Sequence, residues 1–329
     1  MKNKFRNLFL AFGILAVIIM LFTFDVSYDE LLDNLRRAGF YLPLVLVLWL
    51  FIYLINTLSW YIILCSSGPV NSLSFARLYK FTVSGFALNY VTPVGLMGGE
   101  PYRIMELTPY VGVERATSSV ILYVMMHIFS HFCFWLSSVL IYVFFYPVGW
   151  GMGIVLGLIT LFCLLLVTLF IKGYRNGMAV ACIRLGSHIP FLKKHAVRFA
   201  ELHKEKLETI DSQIALLHQQ RKSTFYSALG LEYTARIVGC LEVWLILNVL
   251  TTDVSFVGCI LIVAFSSLLA NLLFFLPMQL GGREGGFALA VAGLSLSGAY
   301  GVFAALITRV REMVWIVIGL VLMKIGNRR

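Results

Sequence analysis

The sequence predicts an all-α polytopic membrane protein, with six full transmembrane helices and two inverted re-entrant hairpins. Composition is the first observation behind this: 60% of the 329 residues are hydrophobic and 13% charged, with a mean hydropathy of +0.89. Such a chain cannot build a polar shell and must use lipid as its solvent. The second is a series of continuous apolar runs, each near the roughly 20 residues that cross a hydrocarbon core of about 30 Å. The third is a pair of apolar stretches interrupted by proline and glycine.

The runs are residues 8–24, 41–64, 116–146, 150–171, 224–250 and 300–325. The first follows Lys2, Lys4 and Arg6, a flank shared by signal peptides and anchors. It runs into Asp25, Asp29, Glu30 and Asp33 with no small-residue cleavage site between, so it reads as an uncleaved span. The broken stretches are residues 75–108 and 255–297. Residues 172–222 are hydrophilic and hold ten Lys and Arg, which assigns them to the cytoplasm. Within them Phe199, Leu202, Leu207, Ile210, Ile214 and Leu217 recur at three to five residues, the pattern of an amphipathic helix docked on the membrane face or the bundle.

The remaining basic clusters are Lys2, Lys4 and Arg6, then Arg77 and Lys80, and finally Lys324, Arg328 and Arg329. They share the cytoplasmic side only if each broken stretch returns to the face it entered from. By that parity the first hairpin enters from the cytoplasm and the second from outside. The expected organisation is a first membrane half, 1–171, containing hairpin 75–108. The cytoplasmic amphipathic stretch 172–222 follows, then a second half, 223–329, containing hairpin 255–297. Both termini are expected on the cytoplasmic side of a multi-pass plasma (inner) membrane protein.

The two hairpins share a motif. Asn89 and Asn271 precede Pro93 and Pro277, a Gly-Gly pair follows each proline, and Glu100 and Glu284 each lie seven residues after their proline. Proline ends a helix and paired glycines let the chain reverse without a side-chain clash, so the backbone unwinds at both places. Non-helical backbone at membrane depth is tolerated only when buried in protein or lining a wet cavity. Paired broken helices in corresponding halves point to a transport site. The expected substrate-binding residues are therefore Glu100, Arg103, Arg283, Glu284, Arg311, Asn89 and Asn271.

Further ionisable residues interrupt the flanking spans: Glu232, Arg236, Glu242, Arg309 and Glu312. Each costs about 2.5–3.5 kcal/mol at a helix centre, so they are expected in pairs inside the bundle. Glu232 and Arg236 lie four apart and Arg309 and Glu312 three apart, spacings that favour local pairs. Arg311 is rotated about 200° from Arg309 and needs another partner, such as Glu242 or Glu284. His127 and His131 share a helix face. That spacing suits a metal or a proton relay, but no third ligand lies nearby, and the expectation is a place in the polar network of the bundle.

Other classes are excluded. The formal charge of +10 could suggest nucleic acid, but the basic residues cluster as a topology signal. Cys65, Cys133, Cys163, Cys182, Cys240 and Cys259 lack metal-ligand spacing, and most lie in apolar runs where cysteine acts as a small hydrophobe. No metal or other cofactor is expected. No GxxxxGK[ST] loop is present to couple ATP hydrolysis.

At the motifs TPVGLMGGEPYR, residues 92–103, and LPMQLGGREGG, residues 276–286, the chain resembles the flippase-like transmembrane region of bacterial lysylphosphatidylglycerol synthases, which also occurs as a stand-alone membrane protein. The resemblance extends over nearly the whole chain. It implies a non-enzymatic lipid flippase-like transporter that moves a phosphate-bearing lipid between leaflets, with a lipid-synthesising enzyme as a possible partner. Aminoacyl transfer in the two-part enzymes belongs to a separate soluble domain, and this chain stops at Arg329. Where the resemblance implies a Glu-Arg pair in the span after the first motif, this chain offers His127 and His131. The alternatives are a membrane-embedded enzyme or enzyme subunit acting on a phospholipid or polyprenyl-phosphate headgroup, with Glu100 or Glu284 as base, and a secondary transporter for a small polar solute.

Overall fold

The computed structural model describes residues 36, 38–70, 73–91, 98–176, 212, 222–251, 253–272 and 282–325. The expected span 8–24, residues 92–97 and 273–281 with Pro93 and Pro277, and nearly all of 172–222 lie outside these residues. Nine helices are described: α1 (Tyr41–Ser66), α2 (Phe75–Val91), α3 (Gly99–Val111), α4 (Val113–Phe145), α5 (Trp150–Asn176), α6 (Lys222–Leu247), α7 (Phe256–Leu272), α8 (Gly282–Ala292) and α9 (Gly298–Lys324). There is no strand among the described residues.

Three of them, α1, α4 and α5, are long and apolar enough to cross a membrane. α6 and α9 have 26 and 27 residues, ample length at about 1.5 Å per residue, but do not meet that apolar criterion. Of the five expected full spans that fall within the described residues, three thus meet both criteria. The physical reason lies in Glu232, Arg236 and Glu242 on α6 and Arg309, Arg311 and Glu312 on α9, all but Arg236 fully buried. These two helices turn charge inward instead of presenting a uniformly apolar surface.

Each broken stretch is a pair of short helices. α2 and α3 have 17 and 13 residues, α7 and α8 17 and 11, all below the roughly 20 that span a bilayer. α2 packs on α3 and α7 on α8. Gly112 closes α3 at φ +82°, where an L side chain is strained, and its N–H donates to the Thr108 carbonyl at 2.9 Å. Arg115, one turn into α4, donates to the carbonyls of Leu64 (2.9 Å), Pro69 (3.4 Å) and Gly68, which satisfies the otherwise unpaired end of α1.

The packing repeats. If α1, α2, α3 and α4 are exchanged with α6, α7, α8 and α9, each packed pair among these eight helices finds its counterpart. Thus α2 on α9 matches α7 on α4, α8 on α9 matches α3 on α4, and α4 on α6 matches α9 on α1. The α1–α6 pair lies at the centre of this exchange, and α5 stands outside it on α4 with an apolar, largely exposed surface. At Gly301 the backbones of α9 and α8 meet so closely that a Cβ would lie 2.6 Å from the Phe287 carbonyl carbon. At Gly319, α9 meets α2, with Ser84 Oγ donating to the Gly319 carbonyl at 2.9 Å.

A polar cavity between the two halves

A cavity of about 300 Å³ opens where the two repeats face one another. Every helix of the repeat except α3 contributes to its wall. Trp49, Tyr53 and Asn56 come from α1, Phe86 and Tyr90 from α2, and His127 and His131 from α4. Glu232, Arg236 and Glu242 come from α6, Ser266, Ser267 and Asn271 from α7, Arg283 from α8, and Arg311 from α9.

Arg311 anchors one side. Its Nε and Nη2 reach Glu242 Oε1 and Oε2 at 2.8 and 3.1 Å, a fork that a planar guanidinium makes and an ammonium cannot. The indole of Trp49 lies 3.7 Å from its Cζ and donates to Glu242 Oε2 at 2.8 Å. The Nη1 of Arg311 makes no hydrogen bond and stands 3.8 Å from Glu312. Glu312 in turn pairs with Arg283 and, at 3.7 Å, with Arg309. Arg309 binds Glu284 at 3.0 Å on α8. The two arginines of α9 thus address different neighbours, as their angular separation requires.

The opposite side is built around Glu232. The expected local pair with Arg236 is not formed. Glu232 Oε2 instead meets His127 Nδ1 at 2.7 Å and Asn56 Nδ2 at 3.5 Å. Arg236 donates to Ser130 Oγ and the His127 carbonyl, each at 2.6 Å. Spacing along α6 permitted the pair, but α4 offers both residues closer partners across the helix interface. His131 stacks edge-on against His127 with centroids 5.6 Å apart. Its Nδ1, Glu232 Oε1 and Asn56 Oδ1 are buried without hydrogen-bond partners.

The remaining predicted residues lie behind the wall. Arg103 is buried beneath the rings of Phe86 and Tyr123 at 4.7 and 5.4 Å. It bonds Glu100 at 3.2 Å and the Thr82 carbonyl at 3.3 Å. Asn89 donates to Glu100 at 2.9 Å and accepts from the Gly99 N–H at 2.7 Å, so it ties α2 to the start of α3. Of the seven expected substrate residues, the structure brings Arg283, Arg311 and Asn271 to the cavity, while Glu100, Arg103, Glu284 and Asn89 brace it. Sequence reasoning missed Trp49, Asn56 and the Ser266–Ser267 pair. Asn56 and the serines were visible as polar residues inside apolar runs; Trp49 carried no signal.

Cys65, Cys133, Cys163, Cys240 and Cys259 are free thiols, and no group of three metal-ligating side chains occurs among the described residues.

The sequence matches the family described as "Lysylphosphatidylglycerol synthase TM region" over residues 8–320. It is 23% identical over 323 residues to a "UPF0104 membrane protein" of Methanothermobacter thermautotrophicus, with 95% of this chain and 92% of that protein covered. No solved structure matches.

Proposed function

The chain belongs to the lysylphosphatidylglycerol synthase TM region family, and from that premise we propose that it is a lipid flippase-like transporter, not an enzyme, moving a phosphate-bearing lipid between the leaflets of the inner membrane. The observation that carries this reading is the cavity, in which Arg236, Arg283 and Arg311 line a polar chamber walled by apolar helices. A buried charge without a partner costs several kcal/mol. Here Glu242 and Glu312 hold Arg311 and Arg283. An entering phosphate exchanges one anionic partner for another. The acyl chains stay in the bilayer while the headgroup enters the chamber.

In this reading the pairs α2–α3 and α7–α8 are re-entrant hairpins, inserted from opposite faces. Both termini and residues 172–222 lie in the cytoplasm, and an enzyme that makes the lipid is the natural partner. The test is reconstitution of the purified protein into vesicles of phosphatidylethanolamine and phosphatidylglycerol carrying a trace of headgroup-intact, chain-labelled phosphatidylglycerol. Loss of label accessibility in the outer leaflet should outpace that of protein-free vesicles. A rate no faster than that of protein-free vesicles, for phosphatidylglycerol and for a second labelled anionic phospholipid alike, would refute the proposal.

A further inference from the structure

Resting on the translocation reading, we infer that the His127–Glu232 pair is the binding site of a proton that accompanies the lipid anion, so that the cavity takes up one proton with each phosphate.

The first support is charge. Three guanidinium groups on the cavity wall, Arg236, Arg283 and Arg311, meet three carboxylates, Glu232 and Glu242 on the wall and Glu312 bonded behind it. With neutral imidazoles these charges balance. A phosphodiester brings one negative charge into a space where an uncompensated charge is expensive, and one proton restores neutrality.

The second support is geometry. Arg311, Arg283 and Arg309 each hold a carboxylate directly. Glu232 is held by an imidazole and an amide instead, and only the imidazole can gain or lose a proton near neutral pH. Bonding to the carboxylate fixes the neutral tautomer with its hydrogen on Nδ1. Nε2 is then the basic nitrogen. It makes no hydrogen bond among the described residues, and the ring lies on the cavity wall with its side chain 26% exposed. The arriving proton adds to Nε2, giving an imidazolium stabilised by Glu232, and leaves from the same atom to water.

The third support is redundancy. A purely structural pair would serve to hold α4 against α6, yet Arg236 already does so through Ser130 and the His127 carbonyl.

The surroundings are accounted for by element. On α4, His131 and Tyr123 adjoin the pair, and α6 adds Arg236. Arg103 of α3 acts on His127 from behind Phe86, with Glu100 beside it. α1 supplies Asn56 and Tyr53, α2 Tyr90 and α7 Asn271, while α5 approaches through Cys163 of the neighbouring core. Arg283 and Arg311 face the pair across the chamber.

The test is calorimetric binding of dihexanoyl phosphatidylglycerol to the purified protein in buffers of differing ionisation enthalpy, at two pH values. A phosphodiester does not titrate near neutrality, so any proton counted belongs to the protein. The expected result is uptake of about one proton per lipid bound, with affinity falling about tenfold per pH unit above neutrality. His127→Gln and Glu232→Gln should bind with no proton uptake and no pH dependence. Binding by the wild type without proton uptake overturns the inference and leaves translocation standing. Uptake undiminished in both His127→Gln and Glu232→Gln, each checked for a wild-type elution profile, overturns the assignment to this pair. No binding of the lipid at all overturns the translocation reading and this inference with it.

Discussion

Replacing Arg311 by lysine keeps the charge of α9 and removes its geometry. Arg311 spans both oxygens of Glu242 at 2.8 and 3.1 Å and lies 3.7 Å beneath the Trp49 ring. Lysine reaches one oxygen and loses the planar stacking. The missing charge-assisted hydrogen bond is worth about 1.5–3 kcal/mol, and the weakened cation–π contact about 1 kcal/mol in a desolvated setting. Arg311 and Glu242 are 1% and 4% exposed, so solvent screening does not erode these terms, and the expected destabilisation is about 3 kcal/mol. Detergent-driven unfolding in mixed micelles, followed by tryptophan fluorescence, measures it for Arg311→Lys, Glu242→Gln and the double variant. The cycle should return a coupling of at least about 1.5 kcal/mol. A cost below about 1 kcal/mol for Arg311→Lys, or a coupling under about 0.5 kcal/mol, would show that the fork in the structure does not hold the bundle.

Two further arginines should separate function from support. Arg283→Lys, on the cavity wall, is expected to lower lipid flux in vesicles about tenfold with normal insertion, because bidentate phosphate contact is lost. Arg103→Lys, buried behind Phe86, should cost about 1–3 kcal/mol of stability and leave flux per folded molecule unchanged; the reverse pattern in the two assays would refute the division. Cys182 and a cysteine placed at Asp253 should react with impermeant thiol reagents from opposite faces, and labelling from one face would sink the inverted topology. The purified chain should transfer no aminoacyl group from charged tRNA, and radiolabelled lipid product in that assay would count against a transporter without catalysis.

The pairs of short helices were legible because proline and paired glycine interrupt the apolar sequence between them. Their helices, 75–91 with 99–111 and 256–272 with 282–292, fall inside the two stretches the sequence marked. The partner of Arg311 was legible only to within two candidates, since helical rotation fixes the direction a side chain leaves its axis but not which neighbour stands there. The Glu232–Arg236 expectation failed for the same reason. Four residues along α6 make contact possible, and His127 and Ser130 on another helix took both groups. Trp49 was invisible because a tryptophan in an apolar span looks the same whether it faces lipid or covers a guanidinium.

The close approaches at Gly301 and Gly319 make α9 a mechanical link. Eighteen residues separate them, about 27 Å of helix at 1.5 Å per residue. One seats the beam against α8 and the other against α2, with Arg309, Arg311 and Glu312 near its midpoint. Backbone seated against backbone has no flexible side chain to absorb sliding, so α8 and α2 cannot shift along α9 independently. A displacement of α8 is carried to α2 as the tilt of a single rod, pivoting where its charged residues sit.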